Sequence, residues 1–174
     1  YDRDQREPAF WLNHRILAYF AVDLYEAWMA TELKGANTYF LPFNQGSNGA
    51  GNDGGAGNPQ TKDGDYITSY IWENVLQKDS LLDIIQKFIS FEVKSEKKNG
   101  KNVTKKRLIF PRFHQLDVVR KLIADVRENG SGNNYLIQHS AGSGKSNSIA
   151  WTAYRLASLH NAENAPVFTS VVIV

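Results

Sequence analysis

Asn134-Tyr-Leu-Ile-Gln-His-Ser-Ala-Gly-Ser-Gly-Lys-Ser146 is the stretch on which the reading of this chain turns. Tyr135 to Gln138 predicts a short buried strand, and Ser140 to Gly144 a tight turn. Residues 145–160 predict a helix with Ile149, Ala153, Leu156 and Leu159 on one side. Strand, glycine-bearing turn and a helix opening on Lys-Ser together form the pattern of a phosphate-binding loop. Gly142 and Gly144 let backbone N–H groups turn towards the β- and γ-phosphates with no Cβ in the way. The helix N-terminus adds unpaired donors and the positive end of its dipole. Lys145 would neutralise the phosphates of ATP, and the Ser146 hydroxyl would take a place on Mg²⁺. Ala141 and Ser143 complete the turn, so residues 141–146 are the candidate nucleotide contacts. One position departs from the full pattern: His139 stands where glycine is expected, five residues before Gly144. Motor-type ATPases relax that position, so the loop is read as a motor variant.

Working upstream, Pro111-Arg-Phe-His-Gln115 introduces a helix with Leu116, Val119, Leu122 and Val126 on one face, closed by Asn129-Gly130. The Gln115 amide can both donate and accept, which suits the N6/N7 edge of adenine, and Arg112 could stack on the ring or brace the amide. His14, His114 and His160 lack partners at metal-ligand spacing and read as structural. Phe91 to Phe110 predicts a β-hairpin turning at Asn99-Gly100. Its arms carry Lys94, Lys97, Lys98, Lys101, Lys105, Lys106 and Arg107. They suit either a solvated, charge-protected surface or contacts to a DNA phosphate backbone, in which case Lys97, Lys98, Lys101, Lys105 and Lys106 are the candidates. Tyr70–Leu76 predicts a helix, and a second follows from Asp79-Ser80, with Ser80 and Asp83 as a capping box and a strongly apolar run to Ile89.

Gly46 to Gly64 holds seven of the thirteen glycines, mixed with Asn and Asp, and cannot build a core; a long flexible loop is expected. Ala36 to Phe43 predicts a strand ended by Pro42, and residues 8–29 a helix with a broad apolar face around Phe10, Trp11, Ile16, Leu17 and Phe20. Asp23 with Glu32-Leu-Lys34 imitates the Asp…Glu-x-Lys signature of Mg²⁺-dependent nucleases. The setting is wrong for two adjoining strands, and surface charge is the better reading.

At 174 residues the chain can hold one domain or two small ones, and its 42% hydrophobic content describes a folded protein. The absence of cysteine excludes a disulfide framework and a zinc–thiolate site and fits a reducing compartment. No run of 18 apolar residues is present, so no membrane span is expected. A net charge of +2 says little about partners. Tyr1 at one end and the apolar Val171-Val-Ile-Val174 at the other suggest an internal piece of a larger protein.

Thr38-Tyr-Phe-Leu-Pro-Phe-Asn-Gln-Gly46, Leu76-Gln-Lys-Asp-Ser-Leu-Leu-Asp83, Phe110-Pro-Arg-Phe-His-Gln-Leu-Asp-Val-Val-Arg-Lys-Leu122 and the stretch from Asn133 to Trp151 resemble the restriction (R) subunit of type I restriction-modification enzymes. The resemblance implies a cytoplasmic, ATP-driven translocase of double-stranded DNA with a nuclease domain, a type I site-specific deoxyribonuclease. Its partners would be modification and specificity subunits. It also implies a boundary plan: residues 1–45 as the tail of the nuclease domain, 46–65 as a flexible loop, 66–107 as junction helices and basic hairpin, and 108–174 as the start of a RecA-like motor lobe. Nuclease carboxylates, the acid pair of the second ATPase motif and the arginine finger would all lie beyond this stretch. The fold class expected is therefore α/β. Tyr135–Gln138 and Val167–Val174 would be parallel strands joined by a right-handed crossover, preceded by a mixed α+β segment. Another helicase-type ATPase, or a non-catalytic docking module between subunits, are the competing functions.

Overall fold

The computed structural model describes residues 16–47, 52–53, 55–61, 65–98 and 101–174. They fall into two units: Tyr1–Asn44 with Gln60–Pro111, and Gln45–Pro59 with Arg112–Val174.

The described part of the first unit starts with a hairpin, not a helix. β1 (Tyr19–Val22) pairs antiparallel with β2 (Ala27–Ala30), Tyr19 opposite Ala30 and Val22 opposite Ala27. The expected helix over 8–29 is thus corrected from residue 16 onward, while Pro8, Phe10, Trp11 and His14 lie outside the described residues. Two local forces favour the hairpin. Tyr19, Phe20 and Val22 are aromatic or β-branched, which suits a pleated surface. Asp23 then closes the turn: its carboxylate accepts the N–H groups of Tyr25 at 2.7 Å and Glu26 at 2.8 Å, a side-chain bond that competes with helix formation. Those two bonds also hold the Asp23 carboxyl below its ordinary pKa.

β3 (Leu41–Pro42) adds to β2 as an edge strand, where a proline costs no ladder bond to a further neighbour. The strand is shorter than the expected run from Ala36. Phe20, Phe43 and Phe110 meet at its inner side, ring centroids 5.1, 5.8 and 6.4 Å apart, the first two contacts edge-on. The Tyr70 hydroxyl donates to the Phe43 carbonyl at 2.9 Å, so the cluster is tied to the following segment. That segment is a π-helical turn, Ile71–Val75, followed by helix α1 (Lys78–Lys87). Helix α1 starts two residues before the expected cap: Gln77 is its N-cap, Ser80 Oγ donates to the Val75 carbonyl, and Asp83 pairs with Lys87. Ile84 and Phe88 are buried, whereas Leu82 and Ile85 are largely exposed, so only one side of this apolar helix is core.

β4 (Ser90–Lys98) and β5 (Lys101–Ile109) form the expected hairpin, Ser90 opposite Ile109 and Lys98 opposite Lys101. The Asn99-Gly100 turn itself lies outside the described residues.

The second unit centres on two packed helices, α2 (Phe113–Asn129) and α3 (Lys145–Ala157). Leu116, Val119, Ile123 and Val126 give α2 a buried stripe at helical spacing, and Gly130 ends it at φ +75°. Helix α3 turns an unexpected side inward. Ser148 and Trp151 are buried, while Ile149, Ala153 and Leu156 line an open cavity of about 320 Å³.

The expected parallel α/β sheet of a RecA-like lobe is not what the described residues form. Both sheets among the described residues are antiparallel, one of three strands and one of two. Tyr135–Gln138 and Val167–Val174 belong to neither, and Leu136 is 94% exposed. A strand exists only where a neighbour takes its N–H and C=O groups. Apolar content predicted burial for these segments, but it supplies no ladder partner. Tyr135 is tethered through its hydroxyl to Asp125 of α2 instead.

Candidate phosphate-binding site

The loop between Gln138 and Lys145 has the backbone of an anion cradle. Ser143 N–H donates to the Ser140 carbonyl at 3.3 Å and closes a turn over Ala141 and Gly142. Gly142 and Gly144 lie at φ +74° and +85°, the left-handed region that a side chain disfavours. A Cβ on Gly142 would meet nothing within 4 Å, so this part of the loop faces open space.

Two consecutive residues of α2 hold two consecutive carbonyls of the loop. His114 Nε2 lies 3.0 Å from the Ser143 carbonyl, and Gln115 Nε2 donates to the Gly144 carbonyl at 2.8 Å. A carbonyl only accepts, so His114 carries its proton on Nε2. In a trans peptide the C=O and the following N–H point in opposite directions. The Gly144 carbonyl also accepts the Asn147 N–H at 3.0 Å, the first bond of α3, so the helix start and Gln115 fix it together. The Gly144 and Lys145 N–H groups lie on the opposite sides of their peptide planes from the held oxygens. Helix α3 begins at Lys145, so its first N–H groups also lack a carbonyl one turn back. The result is a set of donors pre-aimed ahead of a helix N-terminus, the chemistry a phosphate needs.

Gln115 is 3% exposed, and both ends of its amide are engaged. Its Oε1 accepts the Arg112 N–H at 2.9 Å, the reciprocal half of a helix capping box, while Nε2 holds the loop. Sequence reasoning placed this amide on an adenine edge; here it spends its bonds on the protein backbone. Arg112 precedes α2 as its N-cap residue, and its charge bears on His114.

Lys145 folds back over the loop. Its Nζ donates to the Ser140 carbonyl at 2.9 Å and the His139 carbonyl at 3.3 Å. An incoming phosphate would replace these two neutral acceptors with a charged one. Ser146 is exposed at the start of α3 and free to face a ligand. No group of three or more His, Cys, Asp or Glu residues able to hold a metal occurs among the described residues. A Mg²⁺ ion bound with a nucleotide here would have the exposed Ser146 hydroxyl as its protein contact. The residues present fit that arrangement: glycines in the left-handed region, aimed N–H donors and an adjoining cation.

Sequence reasoning missed the two histidines. His139, noted only as a departure from the loop pattern, packs edge-on against His114 with ring centroids 4.7 Å apart. Burial lowers the pKa of both; the charge of Arg112 and of His139 adds to this for His114, and that of Lys145 for His139. The Ser143 hydroxyl and His139 Nδ1 are buried without a hydrogen-bond partner. The usable signal was the adjacency of His114 and Gln115, since neighbouring residues on a helix start can reach neighbouring carbonyls.

The other candidates lie in the first unit. The register puts Lys94 opposite Lys105 on one face of the β4–β5 hairpin, where they pair with Glu92 at 3.3 Å and Glu96 at 3.1 Å. Lys97 and Lys106 stand on the other face, and neither has an ion-pair partner among the described residues. Lys98 and Lys101 close the ladder. Glu32 and Lys34 form an exposed ion pair at 2.8 Å, and the Asp23 carboxylate accepts the N–H groups of its own turn. His160 is held by the Ser158 carbonyl. No helix among the described residues is long and apolar enough to cross a membrane. Comparison of the chain with protein-family profiles, curated proteins and solved structures returned no match.

Proposed function

We propose that the second unit binds the triphosphate of ATP with Mg²⁺, and that the chain belongs to the motor subunit of a type I restriction-type enzyme, an ATP-driven translocase and nuclease of double-stranded DNA. The observation that carries the nucleotide reading is the double clamp of His114 on Ser143 and Gln115 on Gly144, which fixes the loop backbone beside the N-terminus of α3. A plain Gly-Ser turn has no need of two donors, the half-buried His114 and the buried Gln115, from a helix 29 residues upstream. Residues 141–146 would contact the phosphates, Lys145 supplying charge and Ser146 reaching the metal. Bound Mg²⁺ would neutralise phosphate charge; the chain's own part is to bind and orient.

The restriction reading rests on the sequence motifs, and DNA contact on the basic hairpin, whose Lys97 and Lys106 lack acidic partners among the described residues. Modification and specificity subunits would be its partners, and the cytoplasm its compartment. Calorimetric titration of the chain with MgATP tests the nucleotide reading. Saturable binding lost in Lys145→Ala supports it. No binding by the folded chain overturns it and favours a docking module.

A further inference from the structure

Four basic groups surround the phosphate loop: Arg112 and His114 from the start of α2, His139 from the loop and Lys145 from the start of α3. Among the described residues no carboxylate figures among the groups that bear on either histidine. The two rings touch at 4.7 Å, and the His139 carbonyl lies 3.3 Å from the ammonium of Lys145. His139 Nδ1 is buried with no acceptor beside it. Without an anion, a second positive charge in this cluster is opposed by burial and by its neighbours. With an anion in the loop, the same charge becomes favourable.

We propose that the His114–His139 pair makes anion binding at this loop proton-linked: the site takes up a proton as it binds a polyphosphate. The proposal rests on the ATP-binding reading and adds its regulation. Its sign follows from linkage. Both imidazoles lie below their ordinary value of 6.5 in the free loop. Negative charge from the ligand raises them, so affinity increases as pH falls through the bound-state pKa and levels off below the free-state pKa. A coupling of one pKa unit corresponds to about a tenfold gain in affinity. His114 keeps its Nε2–H donor in both charge states, so the clamp on Ser143 persists through the transition.

MgATP titrations at pH 6.0 and 7.5, each in two buffers of different ionisation enthalpy, count the protons taken up. ATP's own protonation is common to all proteins and cancels between wild type and His139→Gln or His114→Gln. Greater uptake by wild type than by the variants is the expected result. NMR titration of the wild-type imidazole resonances, with and without MgATP, needs no variant to fold and should show at least one histidine pKa raised by the nucleotide. Binding with equal proton counts and unmoved imidazoles overturns the linkage while leaving the nucleotide reading intact. Absence of binding at both pH values overturns both.

Discussion

Gln115 Nε2 stands 2.8 Å from the Gly144 carbonyl and only 2.4 Å from where a Cβ on residue 144 would lie. The same atom that orients the loop therefore also restricts it to glycine. Residue 144 is limited twice, by its left-handed backbone and by the amide packed against it, whereas Gly142 is limited only by its backbone.

Gly142→Ala and Gly144→Ala should therefore differ. Each carries the left-handed penalty of about 1–2 kcal/mol. Gly144→Ala also displaces the Gln115 amide and strands a buried polar group, adding about 1–3 kcal/mol. Urea unfolding of the two variants measures the difference. Equal losses would show that the amide moves aside freely.

Gln115→Ala should weaken ATP and GTP binding by the same factor. Its amide bonds are made to Arg112 N–H and Gly144 C=O, and neither depends on the base. Loss of the two bonds should cost the fold about 1–3 kcal/mol. Competition between ATP and GTP on wild type and variant gives the ratio. A ratio that collapses in Gln115→Ala would return the amide to the adenine edge.

What the sequence made legible was local. The β4–β5 hairpin, α2 with its closing Gly130 and the left-handed glycines of the loop each follow from residues within a few positions of one another. The misreadings concern partners remote in sequence. Tyr135–Gln138 has strand composition without a ladder, and the apolar face from Ile149 to Leu156 meets Ile137 and residues 171–173 only across an open cavity. Residues 16–29 failed for a different reason: their apolar content outweighed the turn chemistry of Asp23. At the site, residue types were readable, but the clamp from α2 was not: the adjacency of His114 and Gln115 suggests two neighbouring donors without saying which carbonyls, 29 residues on, they reach.

Lys145→Ala should separate binding from stability. The ammonium is exposed and bonds only to backbone carbonyls, so unfolding should shift by about 0.5 kcal/mol or less. A charge-assisted bond to phosphate contributes about 1.5–3 kcal/mol, so MgATP affinity should fall about tenfold to a hundredfold. Thermal melts and calorimetry on the same samples check both halves.

Acid should weaken the fold through His114. Its imidazole is held neutral, chiefly by burial, so its folded pKa lies below the ordinary 6.5 of the unfolded chain. Stability from this group is fully present above 6.5 and is lost as pH falls from there through the folded value. His114→Gln retains a donor for Ser143 but does not titrate. Urea midpoints between pH 5 and 7.5 should therefore be less pH-dependent in the variant than in wild type, and parallel profiles would count against this.

The hairpin offers a test based on its two faces. On one, Lys94 and Lys105 already spend charge on Glu92 and Glu96. On the other, Lys97 and Lys106 have no acidic partner among the described residues and are four positions apart along the ladder. A phosphate backbone gains most from the unpaired face, because binding there leaves no existing ion pair to break. Removing one lysine–phosphate pairing should reduce the log–log salt slope of DNA binding by about 0.9. Neutralising Lys97 and Lys106 together should thus flatten the slope by about 1.8 if both touch phosphate, and neutralising Lys94 and Lys105 should flatten it less. All four side chains are exposed, so neither pair of changes should disturb the fold. Fluorescence anisotropy with a DNA duplex across a salt series provides the slopes, and equal slopes in all three proteins would leave the hairpin as solvated surface.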